Sequence, residues 1–248
     1  MMHAGASTRV AVWSGPRNVS TALMRAWGSR ADTVVVDEPF YAHYLQHTGR
    51  AHPGRASIMA AGEVRWRSVV AQLTGAVPEG RAIYYQKHMA HHLFPFMEGS
   101  WMEVLRHVLL IREPRAMLAS LLRVLPGATL PETGLPQQVR LLAYLQQRGQ
   151  TVPVVVARDV LRDPPGLLRA LCQKLGVPFT PEMLTWAPGL RPTDGVWAAH
   201  WYSRVAESTG FEPYRPSTAV LPATAEPLLA ACQPLYDQLY AQRLVSEG

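Results

Sequence analysis

The strongest constraint on how this chain can fold is a series of short apolar runs, each followed by a helix-like stretch. The runs are Thr8 to Trp13 (TRVAVW), Thr33 to Val36 (TVVV), Ala82 to Gln86 (AIYYQ), Arg106 to Ile111 (RHVLLI) and Val152 to Ala157 (VPVVVA). They are rich in β-branched and aromatic residues and read as near-continuous rather than alternating, as strands buried on both faces do. Helices are predicted at Ser20 to Gly28, about Ala56 to Leu73, from Pro114 onward, and about Pro136 to Arg148. Asp163-Pro-Pro-Gly opens another, Leu167 to Leu175, which Gly176 and Pro178 stop; Glu226 to Leu244 is the last. Thr180 to Pro222 is rich in Pro, Trp and Tyr with little periodicity, and is expected to form loops and short helices over the sheet edge. The expectation is an α/β fold: a single domain over residues 1–248 with a central, mainly parallel sheet flanked by helices.

Composition excludes several classes. With 48% hydrophobic and 17% charged residues, the 248-residue chain can bury a core and is neither disordered nor fibrous. Two cysteines, Cys172 and Cys232, provide neither a disulfide scaffold nor a CxxC metal pair, which fits a reducing compartment. No apolar run has membrane length, and MMHAGASTRVAVWSG lacks the pattern of a secretory leader, so a soluble cytoplasmic protein with no membrane partner is expected. The net charge of +6 favours an anionic partner, and all but two of the 24 basic residues are Arg, whose planar fork suits phosphate or sulfonate oxygens. High genomic GC content would enrich Arg equally. The arginines are scattered and no nucleic-acid module is present, so a nucleic-acid partner is not expected.

Ser14-Gly-Pro-Arg-Asn-Val-Ser-Thr21 lies between the first strand and the first helix. Backbone N–H groups at a helix start, helped by the helix dipole, make such a turn an anion site. Ser20 and Thr21 add hydroxyl donors and Arg17 a full charge. A Walker A loop requires G-x-x-x-x-G-K-[ST]; counted from Gly15, its second glycine is Ser20 and its lysine is Thr21, so that loop is not met. Alone, the segment reads equally well as a turn capped by Ser20. A second segment, Ile111-Arg-Glu-Pro-Arg-Ala-Met-Leu-Ala-Ser120, also joins a strand to a helix. Arg112 at the strand end and Ser120 about two helical turns on could hold one phosphate, although Arg-Glu-Pro-Arg is also a common helix start.

Together these segments resemble the sulfotransferases that use 3′-phosphoadenosine 5′-phosphosulfate (PAPS). That family's first loop, Pro-[Lys/Arg]-Ser-Gly-[Thr/Ser]-[Thr/Ser], is similar to Pro16-Arg17-Asn18-Val19-Ser20-Thr21. Its Arg-x-Pro-x-x-x-x-x-Ser motif is matched at Arg112, Pro114 and Ser120, and its later strand, Asp-Pro and Leu-Gly pattern resembles residues 154 to 184. The resemblance implies a P-loop NTPase-like fold and PAPS as donor, with adenosine 3′,5′-bisphosphate (PAP) as product. It implies that Pro16, Arg17, Asn18, Val19, Ser20 and Thr21 bind the 5′-phosphosulfate and that Arg112 and Ser120 bind the 3′-phosphate. The acceptor would be a hydroxyl or amine of a small molecule or carbohydrate. Two departures stand out. Val19 replaces the loop glycine, and Ala157 stands where cytosolic members often carry an adenine-side tyrosine.

Sulfuryl transfer needs donor and acceptor in line, charge neutralised on the bridging oxygen, and a base for the acceptor hydroxyl. Arg17 and Lys87 suit the second task. Two bases compete: Glu38, in the Asp37-Glu38-Pro-Phe segment after the second strand, resembles the glutamate of carbohydrate sulfotransferases, and His88 lies near the family's Lys-x-His. Lys87 and His88 are adjacent here, so one faces away if the strand continues. The i, i+3, i+4 spacing of His88, His91 and His92 would suit a metal or a polar helix surface, but no cysteine or paired carboxylate accompanies them and no metal is expected. The alternative is an atypical P-loop nucleotide-binding protein or kinase without sulfotransferase activity.

Overall fold

The computed structural model describes residues 7–218 and 220–246; residues 1–6, part of the stretch read for a leader, lie outside it. Five strands, β1 (Thr8–Ser14), β2 (Thr33–Asp37), β3 (Ile83–Met89), β4 (Arg106–Ile111) and β5 (Val154–Val156), form one sheet in the order β2-β3-β1-β4-β5. Every pairing is parallel. Eleven helices surround it among the described residues. They are α1 (Ser20–Gly28), α2 (Tyr41–Thr48), α3 (Arg55–Ala61), α4 (Trp66–Thr74), α5 (Pro114–Leu121), α6 (Leu135–Gln146), α7 (Ala157–Arg162), α8 (Pro164–Lys174), α9 (Ala198–Trp201), α10 (Ser203–Glu207) and α11 (Glu226–Tyr240).

Strand alternation divides the core in two. Trp13, Leu109, Ile111, Val154 and Val156 pack on one face with α4, α5, α6 and α11. Val10, Val12, Val108, Leu110 and Val155 pack on the other with α1, α2 and α8. Because both faces are covered, the strands have no polar side to expose, and each fully buried Val, Leu or Ile contributes roughly 1.5–3 kcal/mol. Parallel pairing also brings all five strand C-termini to one edge, where ligand sites of open α/β sheets form.

Several expectations shift. α1, β4 and the Pro114 start of α5 fall where the sequence places them. The helix expected over Ala56 to Leu73 is two, α3 and α4. Gly62 ends α3 in extended backbone, and a side chain there would meet the Ala42 Cβ at 2.6 Å. β3 runs to Met89 rather than Gln86, and Ala157 opens α7 instead of ending β5. α8 begins at Pro164, where the Asp163 side chain accepts a bond from the Gly166 N–H at 2.9 Å. α11 stops at Tyr240 instead of Leu244. Residues 181–218 hold only loops and short helical turns, and they reach across the C-terminal sheet edge.

Candidate active site

The turn after β1 is built around a close approach. Gly15 lies against the 130–134 turn so tightly that a Cβ would sit 2.3 Å from the Thr133 carbonyl oxygen. Arg17 takes a left-handed backbone conformation, φ +59°, which costs a non-glycine residue energy and marks a constrained turn. The first helical bond of α1 runs from Leu23 N–H to Val19 C=O, 2.9 Å, so the N–H groups of Ser20, Thr21 and Ala22 have no intrahelical acceptor and face the turn.

Both motifs meet here. Arg112 at the end of β4 donates to the Arg17 carbonyl at 2.6 Å, and Arg17 Nε donates to Ser120 Oγ at 3.1 Å. Asn18 turns its side-chain amide inward to the Leu110 carbonyl at 2.9 Å, leaving only its backbone at the cleft. Buried Gln138 donates to the Trp13 and Leu110 carbonyls, tying β1 to β4 beneath the loop. Pro16, Arg17, Asn18, Val19, Ser20, Thr21, Arg112 and Ser120, the set expected to hold the nucleotide, all line one cleft of about 670 Å³. That volume lies in the upper part of the range for small-molecule sites.

The cleft is short of negative charge at this end. Burial, then the nearby Arg123 and Arg204, pull the Arg17 guanidinium below its ordinary value. Burial does the same to Arg112; Glu113 opposes it, and Arg17, with a smaller effect than Glu113, adds to it. Among the described residues neither Arg17 nor Arg112 makes an ion pair with a carboxylate. Crowded, partly desolvated guanidinium groups facing helix N–H groups are stabilised by an anion. The bound group that the motifs imply, a phosphosulfate with a second phosphate, fits this donor set.

The other end carries the acid–base candidates. The register pairs Asp37 of β2 with Lys87 of β3. Lys87 Nζ lies 2.7 Å from Asp37 Oδ1, 2.5 Å from Glu38 Oε1 and 2.8 Å from Tyr202 Oη. Tyr202 in turn donates to Asp37 Oδ2 at 2.6 Å, and Trp197 Nε1 reaches Tyr202 Oη at 3.3 Å. Burial alone would lower Lys87, but Asp37, Glu38 and Tyr202 outweigh it and hold the ammonium well above its ordinary range. Burial pushes Glu38 up, with Lys87 opposing and Asp37 reinforcing. Glu38 also sits at φ +43°, its N–H bonded to the Lys87 carbonyl at 2.8 Å, so the strand end itself holds the carboxylate at the cleft.

Because β3 extends through Met89, Lys87 and His88 point to opposite faces. Lys87 lines the cleft and His88 does not. His88 is buried on the far face, stacked on Trp13 at 4.1 Å and near Phe40 at 5.5 Å, with Nε2 3.3 Å from Gln86 Oε1. The second base candidate is therefore placed away from the cleft. His91 and His92 lie in a short 3₁₀ turn, not on a helix surface, and do line the cleft without His88. Asp37, Trp197 and Tyr202 join the network, a role the sequence does not assign to any of them. The Trp197-to-Tyr202 aromatics were visible in the sequence, but 115 residues separate Tyr202 from Lys87.

A family model described as "Sulfotransferase domain" matches residues 8–243. The chain is 38% identical over 228 residues to "Branched-chain-amino-acid aminotransferase-like protein 1" of Arabidopsis thaliana, covering 92% of this chain, and 34% identical to protein 2 of the same name. The chain spans about 40% of the length of those relatives. Among solved structures, the "Sulfotransferase Domain from the Curacin Biosynthetic Pathway" superposes with TM-score 0.57 at 17% identity, covering 94% of this chain and 98% of that one. A sulfotransferase from Alicyclobacillus acidocaldarius gives TM-score 0.52 at 15% identity, covering 97% and 98%. At these identities the likeness is one of fold. No helix among the described residues is long and apolar enough to cross a membrane.

Proposed function

The chain belongs to the sulfotransferase-domain family, and on that premise we propose that it moves a sulfuryl group from PAPS to a hydroxyl or amine of a small-molecule or carbohydrate acceptor. Carrying this reading is the convergence of Arg112, Arg17 and Ser120 on a helix start that lacks a carboxylate partner. PAPS, when bound, supplies an activated sulfuryl group on a phosphate leaving group. The N–H groups at the start of α1 and the Arg17 guanidinium stabilise charge on that leaving phosphate. Arg112 and Ser120 take the 3′-phosphate, which distinguishes this nucleotide from AMP.

Glu38 is the base. Lys87 holds Oε1, leaving Oε2 to accept the acceptor's proton, and burial brings the carboxyl nearer to working pH, where proton transfer is efficient. Lys87 orients Glu38 and keeps a positive charge beside the transfer path, while Tyr202 and Asp37 hold Lys87 in place. The sheet order supports this division of tasks. β2 and β3 carry the base and Lys87, β1 the central loop, and β4 the 3′-phosphate arginine, with neighbouring strands roughly 4.8 Å apart.

The test is thermal stabilisation by PAP, ATP and AMP. PAP should stabilise the protein most, and Arg112→Ala should remove its advantage over AMP. Equal shifts with PAP and AMP in the wild type would refute the assignment, and preferential stabilisation by Mg²⁺-ATP would favour a kinase.

A further inference from the structure

Beyond Glu38 the cleft continues between α2 and the turn after β3, where Tyr41, Tyr44, His52, His91, His92 and Glu132 line it. We infer that this end is an acceptor subsite for an uncharged molecule bearing several hydroxyls, such as a sugar or cyclitol ring. The inference rests on the sulfuryl-transfer reading and names the acceptor class for that site.

Three observations carry it. First, polar atoms gather here without hydrogen-bond partners: His52 Nε2, His91 Nδ1 and His92 Nδ1 are buried and make no hydrogen bond, and Glu132 Oε1 has only an Arg50 guanidinium beside it. Such atoms cost free energy while they lack a partner, so an acceptor that brings several hydroxyls to this end is favoured. A one-hydroxyl phenol or an apolar alcohol would leave most of them unmet, and a site of this kind discriminates strongly against ligands lacking the matching groups.

Second, the surrounding side chains are already locked. Tyr41 Oη meets His52 Nδ1 at 2.9 Å, and the His92 ring is stacked against Tyr41 at 4.8 Å and Tyr44 at 4.6 Å. The ring faces are occupied by one another, so the edges, with their nitrogens, are what the subsite offers. Glu132 Oε2 is held by the Thr129 N–H and hydroxyl, both at 2.8 Å, which fixes the carboxylate.

Third, among the described residues no cation without an acidic partner faces this end. Glu132 Oε1 lies 3.2 Å from an Arg50 guanidinium nitrogen, though out of line for a hydrogen bond. Lys87 neutralises Glu38 or Asp37, so any excess is negative and opposes an anionic acceptor. Burial holds the imidazoles neutral, His91 near a pKa of about 3 and His52 below its ordinary value.

The test measures transfer from labelled PAPS to ring acceptors matched in size: a neutral cyclitol and hexose, a phenol, a cyclohexanol and an aminosugar. Acceptor binding to the PAP complex is titrated in parallel. The neutral polyols should show the highest kcat/KM. His52→Phe and His91→Phe, which keep a ring but remove its nitrogens, should raise the polyol KM at least tenfold while PAP affinity stays within twofold. His91→Asn, which restores a polar group, should recover most of the loss. Preference for the phenol, the cyclohexanol or the amine overturns the inference, as does an unchanged polyol KM and binding constant in both phenylalanine variants. Failure of the wild type to bind PAP overturns the underlying donor reading, a result separable from loss of the subsite alone, in which PAP binds as before.

Discussion

Removing the ammonium of Lys87 is the most informative single perturbation, because one atom sits between two carboxylates and a phenol. Lys87 is 1% exposed, and its Nζ makes hydrogen bonds of 2.7, 2.5 and 2.8 Å. Lys87→Met keeps the side chain's length and removes the charge, leaving Asp37 and Glu38 without their cation. Breaking a buried pair from one side costs about 3–5 kcal/mol, much of it from the uncompensated charge left behind. At about 2–4 °C per kcal/mol for a chain of this size, the melting temperature should fall by roughly 6–20 °C at pH 7.

The pH dependence has a definite sign. Lys87 is raised above its ordinary 10.5, so its stabilisation is complete below that value and is lost only as pH climbs through the higher folded value. It is therefore constant between pH 5 and 8. Glu38 is raised above 4.5 by burial, so the cost of ionising it grows as pH rises past 4.5, and it grows more once Lys87 no longer opposes it. The wild-type-minus-variant gap, read from urea unfolding at several pH values, should widen from pH 5 to 8. Adding Glu38→Gln to Lys87→Met should recover at least about 1 kcal/mol at pH 7, since the two residues touch. A gap below about 1 kcal/mol, as exposed pairs give, or one flat across this pH range would refute the reasoning.

Other perturbations separate roles within the cleft. Glu38→Gln should lower kcat by at least 10²-fold with PAP affinity within about threefold, checked by steady-state kinetics and titration; unchanged turnover would remove Glu38 as base. His88→Phe, which keeps the ring stacked on Trp13, should keep kcat within about threefold, and a hundredfold loss would return the base role to His88. Asp194→Ala should cost about 3–5 kcal/mol by orphaning Arg25, whose two nitrogens grip the carboxylate at 2.6 Å each while both side chains are nearly inaccessible. Since Asp194 anchors the covering segment to α1, that variant should also be cleaved faster by protease within residues 187–218, and an unchanged cleavage rate would show the segment is held otherwise.

The sequence determined what local chemistry can determine. Buried β-branched runs read as parallel strands because they lack a polar face. The Ser14–Thr21 segment read as a strand-to-helix turn with free N–H groups, equally an anion site or a capped helix start, and Pro114 marked its helix start because proline lacks the donor that position does not use. Long-range partners were beyond it. Whether Lys87 or His88 faced the cleft depended on β3 running three residues further, since each added residue reverses the side-chain face. Tyr202 lies 165 residues from the Asp37 it donates to, and the partnerless nitrogens of His52, His91 and His92 come together only when α2 packs against the turn after β3. Pattern and propensity act over a few residues. The charge environment of a buried carboxylate is set by whatever the fold brings within hydrogen-bonding distance, and only the assembled chain decides that.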